Sequence, residues 1–157
     1  MATVNLGGMA VEITRLGAGT KYPTAALRQI AEALLRAVKQ SRAELSIAMV
    51  GDREMRPLNR KYRHKRKTTD VLSFLVEEQP LSGAKILGDV VISVEQARRQ
   101  AKERGKTLKS EMVTLLIHGI LHLLGYDHEK SPRQAKIMFA YERKLVAYLC
   151  DRGILKV

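Results

Sequence analysis

Three of the four histidines in this sequence stand within one short stretch, His118-Gly119-Ile120-Leu121-His122-Leu123-Leu124-Gly125-Tyr126-Asp127-His128. Residues four apart on a helix project from one face, a turn apart, so His118 and His122 could share one metal ion. Gly125 can take a left-handed conformation, end the helix and reverse the chain. The reversal can return His128 to the same point. Three neutral imidazoles with an open fourth position make a catalytic zinc site, whereas structural zinc sites are usually closed by four protein ligands. The competing reading is three unrelated histidines on an apolar helix and its cap. Three of four histidines, with glycine at the reversal, favour the metal. Asp127 has two readings, a hydrogen-bond partner for a ligand imidazole or a turn aspartate.

The same histidine spacing occurs in metzincin peptidases, which place a glutamate general base directly after the first histidine. Here that position is Gly119. The metal geometry is kept without the peptidase base, so peptide hydrolysis by that route is disfavoured. A metal-bound water with its pKa lowered towards 7 remains available as a nucleophile.

The elements that must position these residues follow from periodicity and punctuation. Met9 to Thr14 alternates apolar and polar, as a half-buried strand does. Thr24 to Lys39 is amphipathic, with Leu27, Ile30, Leu34, Leu35 and Val38 on one face and Pro23 suiting the first turn. Leu45 to Val50 reads as a strand. Asp52 is a candidate N-cap for a short helix towards Tyr62, with Pro57 expected to make its first turns irregular. Val71 to Val76 and Ile86 to Ser93 are further strands. Ser93 with Gln96 makes a capping pattern for a helix to about Arg104, closed by Gly105. Ser110 to Leu124 is the apolar helix carrying the histidine pair, closed by Gly125. Ser131-Pro132 with Gln134 opens a last helix to about Leu149. The order implies an α+β fold: a small mixed β-sheet covered by helices, with a zincin-like metal helix.

The chain has 157 residues, 45% of them apolar and 28% charged, which fits one soluble domain over residues 1–157 and argues against disorder or a disulfide-stapled mini-protein. The lone Cys150 permits no internal bridge, and the first residues lack a secretory pattern, so a cytoplasmic location is expected. No apolar run is long enough for a membrane span, and no membrane partner is expected. The 28 Lys and Arg against 16 Asp and Glu give a net charge of +12, which points to a polyanionic partner. The cations form two runs: Arg53, Arg56, Arg60, Lys61, Arg63, Lys65, Arg66 and Lys67, then six more between Arg98 and Lys109. Each alone reads most simply as a solvated face. Together with a hydrolytic metal motif they favour RNA, bound through its phosphates. Trp is absent and there are only two Phe, so a platform of many aromatics for stacking bases is not expected.

The stretch from His118 to His128 resembles the signature of the YbeY endoribonucleases, the bacterial rRNA maturation factors, at every fixed position. Leu58-Asn59, Tyr62-Arg63, Thr69 to Phe74, Leu87-Gly88-Asp89 and Ile92-Ser93 agree as well, in order and spacing, over about Leu45 to Tyr148. The resemblance implies metal-dependent cleavage of single-stranded RNA, maturation of the small-subunit (16S) rRNA 3′ end and ribosome quality control. It implies one metal, most readily Zn2+, on His118, His122 and His128. Imidazole ligands also suit nickel. Arg63 matches the arginine that this family places in its cleft. A guanidinium there can grip a phosphate through two donors and stabilise charge developing on it. Lys65, Arg66 and Lys67 are the candidate substrate contacts beside it, and His64 reads as surface. Arg66 departs from the family's usual acidic residue, and Thr68 and Leu75 from its prolines. The partners implied are single-stranded RNA or rRNA and the small ribosomal subunit, with a ribosomal protein as a further candidate. The alternatives are a ribosome-assembly factor whose metal is mainly structural, and a zincin-like metallohydrolase of another substrate class.

Overall fold

The computed structural model describes residues 10–63 and 70–156. Its strands are β1 (Ala10–Leu16), β2 (Ala43–Val50), β3 (Val71–Phe74) and β4 (Lys85–Ser93). Its helices are α1 (Thr24–Ala37), α2 (Asp52–Arg63), α3 (Val94–Glu103), α4 (Leu108–Leu123) and α5 (Pro132–Asp151). The strands form one mixed sheet in the order β1-β2-β4-β3. β1, β2 and β4 run parallel, and β3 lies antiparallel to β4 at the edge. The architecture is α+β, a small mixed sheet covered by helices.

Strand β2 shows why the sheet has an inside. Ala43, Leu45, Ile47 and Met49 are buried, while Glu44, Ser46 and Ala48 between them are only partly covered. The buried set joins Leu27, Ile30, Leu34 and Leu35 of α1 and most of α4 in the main core. Full burial of each such side chain contributes about 1.5–3 kcal/mol. On the other face Met55 of α2 packs with Val50, Leu72 and Val91 in a smaller cluster, beside the partly buried Leu58.

Both serine caps form as read from the sequence: Ser93 accepts from the Gln96 N–H and Ser131 from the Gln134 N–H. Other boundaries differ for local reasons. Helix α1 stops at Ala37 because Lys39 takes a left-handed φ of 60°, and Pro23 is its N-cap rather than part of the first turn. Helix α4 starts earlier than Ser110, because Thr107 accepts from the Ser110 N–H and caps it. Strand β3 ends at Phe74, and Leu75 is already 66% exposed. Helix α2 runs unbroken through Pro57, with Asp52 inside its first turn. Proline there removes one backbone bond, but Met55 is fully buried and Met55 N–H bonds to the Gly51 carbonyl, which holds the turn.

Two glycines let α4 lie against the sheet. A Cβ on Gly119 would stand 2.7 Å from Val90 Cγ1 and 3.3 Å from Ser73 Oγ. Gly88 has φ 140°, and a Cβ there would stand 2.4 Å from the Phe74 carbonyl oxygen and 2.8 Å from Leu123 Cδ2. The pairing of β2 with β4 shifts register beside it. These contacts set the C-terminal turn of α4 beside β3.

Candidate metal centre

Helix α4 is apolar nearly all round, with Met112, Val113, Leu116, Ile117, Ile120 and Leu121 buried. A helix of that kind belongs inside the molecule. His118 and His122 are the polar residues of its C-terminal half, and both are only partly buried. The helix closes as the sequence requires. The Gly125 N–H donates to the His122 carbonyl and the Tyr126 N–H to the Leu121 carbonyl, each at 3.0 Å, with Gly125 at φ 96°. This is a Schellman motif, which satisfies the last carbonyls and turns the chain back. Tyr126 then packs edge-on to Tyr141 of α5, ring centroids 5.3 Å apart. That contact pins the reversal and returns His128 to the helix end.

The three imidazoles converge. Their ring centroids are 4.5, 5.0 and 5.6 Å apart, and one ligand nitrogen from each lies within 4.8 Å of the others. His118 Nε2 and His122 Nε2 stand 3.0 Å apart. Two nitrogens on one tetrahedral zinc, each at about 2.0–2.1 Å, stand about 3.3 Å apart, so this pair is close to the spacing zinc requires. His128 Nδ1 is buried without a hydrogen-bond partner among the described residues. An all-imidazole set suits zinc and similar borderline ions.

Glu142 of α5 completes the geometry. Its carboxylate accepts from His118 Nδ1–H at 2.9 Å. An ionised carboxylate only accepts, so in neutral His118 the proton sits on Nδ1 and the Nε2 lone pair faces the other histidines. Such a partner fixes the tautomer and ring orientation of a metal ligand. Sequence reasoning passed over Glu142. The available signal was its place on the inner face of α5, between the buried Met138 and Leu145 at helical spacing. Asp127 resolves to the turn reading: its Oδ1 accepts from the Glu129 N–H at 2.9 Å. That bond is the main cause holding its carboxyl below the usual range.

The cluster opens on a cleft of about 510 Å³ bounded by β3, His118, His122, Leu123 and Asp127. Strand β3 is the edge strand of the sheet among the described residues. Ser93 N–H donates to the Asp70 carbonyl, and antiparallel alternation then turns the backbone groups of Val71 and Ser73 away from β4. Ser73 Oγ also donates to the Gly119 carbonyl at 2.9 Å, tying the edge strand to the metal helix. Gly119 therefore looks at the sheet, with no room for a zincin-type carboxylate.

The cationic candidates divide. Arg63 is the last residue of α2, and its side chain lies outside the described part of the structure. Lys65, Arg66, Lys67 and His64 lie outside the described residues altogether. In the second run, Arg99 is bonded to Asp52 through both terminal nitrogens, at 2.7 and 2.9 Å. Arg104 pairs with the buried Glu111 at 2.8 Å. Two of those six cations thus serve the fold.

A mixed sheet, a buried helix bearing two histidines and a third after a glycine turn define an α+β fold with a zincin-like candidate metal site. The profile of the family described as Endoribonuclease YbeY matches residues 14–149. A curated relative of that name from Geobacter sulfurreducens is 39% identical over 94% of this chain and 100% of its own length. Another, from Myxococcus xanthus, is 51% identical over 80% of this chain; the matched stretch covers 42% of that longer protein. A solution structure of a Thermotoga maritima protein superposes with a TM-score of 0.62 at 29% identity, covering 90% of this chain and 91% of the other. The chain belongs to the YbeY endoribonuclease family.

Proposed function

We propose that this protein is a metal-dependent endoribonuclease that cleaves single-stranded RNA, acting in small-subunit rRNA 3′-end maturation and ribosome quality control. The observation that carries the reading is the convergence of His118, His122 and His128 beside an open cleft, in a chain of this family. We read residues 1–157 as one hydrolase domain. Its substrate and partner are rRNA and the small ribosomal subunit, with a ribosomal protein as a further partner, in the cytoplasm. No described helix is long and apolar enough to cross a membrane.

The three histidines would hold one Zn2+, which supplies Lewis-acid polarisation of a phosphoryl oxygen or an activated water. The chain's own groups do the rest. Glu142 keeps the proton on His118 Nδ1 and so keeps Nε2 free to ligate. Arg63 holds the scissile phosphate and offsets charge developing on it. Lys65, Arg66 and Lys67 draw the strand in through its phosphates. Asp127 accepts from the Glu129 N–H and shapes the turn before His128.

The test is cleavage of single-stranded RNA by highly purified protein, wild type beside His122→Ala, with metal measured on both. Loss of cleavage together with the metal supports the reading. Equal cleavage by both refutes it. Arg63→Glu should retain the metal and lose cleavage; unchanged turnover would remove Arg63 from the mechanism. A full metal site with no cleavage of any RNA would favour an assembly factor instead.

A further inference from the structure

Phe139 is a large apolar side chain that the fold leaves 44% exposed. It stands on α5 beside the metal centre, its ring centroid 6.2 Å from that of His128 and tilted 35° to it. It also walls a second cavity of about 310 Å³ between α4 and α5, with Ile117 and Val146 as apolar neighbours and Thr114, Glu142 and Arg143 as polar ones. Glu142 is the residue that holds His118. The cavity therefore begins directly behind the metal ligands.

Lys136, Phe139 and Arg143 follow one another at spacings of three and four, so they share one face of α5. All three are exposed. Neither Lys136 nor Arg143 has an ion-pair partner among the described residues. A cation, an aromatic ring and a second cation in line form the pattern that holds a single strand, with the ring taking a base and the cations its flanking phosphates. Protein docking fits less well. The other large apolar residue exposed on α5, Ile137, lies two positions away, about 200° around the helix, so the two make no common patch.

We infer that Phe139 is a stacking seat for one base of the RNA strand as it leaves the metal centre, with Lys136 and Arg143 on the phosphates either side. This rests on the ribonuclease reading and adds an exit path for the strand. A single seat is compatible with a chain poor in aromatics.

The chain has no tryptophan, so Phe139→Trp installs a unique indole at the seat. A short single-stranded oligoribonucleotide should quench it saturably, and an abasic oligomer of the same length should not. Phe139→Ala should raise KM for cleavage roughly 5- to 150-fold, the span covered by one base–aromatic stack, with metal content unchanged. Arg143→Ala should lower the salt slope of binding by about 0.7, the loss of one single-strand phosphate contact. RNA that binds and is cleaved without quenching the indole would overturn the seat and leave the ribonuclease standing. Quenching by RNA with no cleavage would uphold the seat and count against the ribonuclease. Quenching by an apolar peptide and none by RNA would make the patch a protein contact and overturn the inference.

Discussion

Replacing Glu142 with alanine removes the only described partner of His118 Nδ1 without touching a metal ligand. The lost bond is short, 2.9 Å, and both side chains are largely shielded, 23% and 21% exposed. Removing such an outer partner weakens metal binding about 10- to 100-fold, equivalent to about 1.4–2.7 kcal/mol. Metal that binds only the folded state stabilises it in proportion to the logarithm of its affinity. At a fixed excess of zinc, the metal-induced rise in Tm should therefore shrink by about 3–10 °C in a chain of this size. The assay is thermal unfolding with and without zinc, paired with chelator competition for the Kd. Glu142→Gln keeps an acceptor oxygen but no charge and should fall between wild type and alanine. A Kd for Glu142→Ala equal to that of wild type would refute the argument that α5 sets the ligand geometry. So would an equal loss of Tm in the metal-free protein, because the residue would then be acting on the fold alone.

Two further outcomes follow from the packing and the charges. Gly119→Ala should cost about 1–3 kcal/mol by overpacking against Val90, read by urea unfolding and partly restored by Val90→Ala; full stability of the single variant would show that α4 can move off the sheet. The Asp52 carboxyl is held below its usual range chiefly by the Arg99 hydrogen bonds, so its contribution is complete above about pH 4, the ordinary aspartate range, and fades as pH falls through the lowered value. Arg99 is 48% exposed, so Asp52→Asn should cost no more than about 1 kcal/mol at pH 7. The gap to wild type should close in acid, and a gap that stays open there would mean the pair is not its source.

What could be read in the chain was whatever local spacing decides. The histidine pair, the glycine reversal and the two serine caps each depend on neighbours within a turn or two. Lys39 shows the limit of that reading: a lysine gives no sign that it will adopt a left-handed conformation. Glu142 shows a larger one. It lies 24 residues from His118, and only the packing of α5 on α4 makes it a partner. The pairing of β4 with both β2 and β3 is likewise a property of the sheet, since an apolar run does not name its neighbours. Gly119 was read as a missing base, whereas its surroundings show a close approach to Val90. Arg99 and Arg104 looked like part of a phosphate-binding run, but Asp52, 47 residues from Arg99, and Glu111, seven residues beyond Arg104 and buried by the packing of α4, claim them.

The open edge of β3 has a consequence for solubility. Among the described residues no strand pairs with the outer edge of β3, so the cleft lies beside it. An uncovered edge also invites pairing with a second molecule, and hence aggregation. The protein keeps this edge to four residues and ends it before Leu75. Ser73 is bound to α4 on one side, and Gly88 forces a close crossing at Phe74. Substitutions that lengthened or flattened β3 to stiffen the sheet would enlarge a template for self-association along the wall of the cleft.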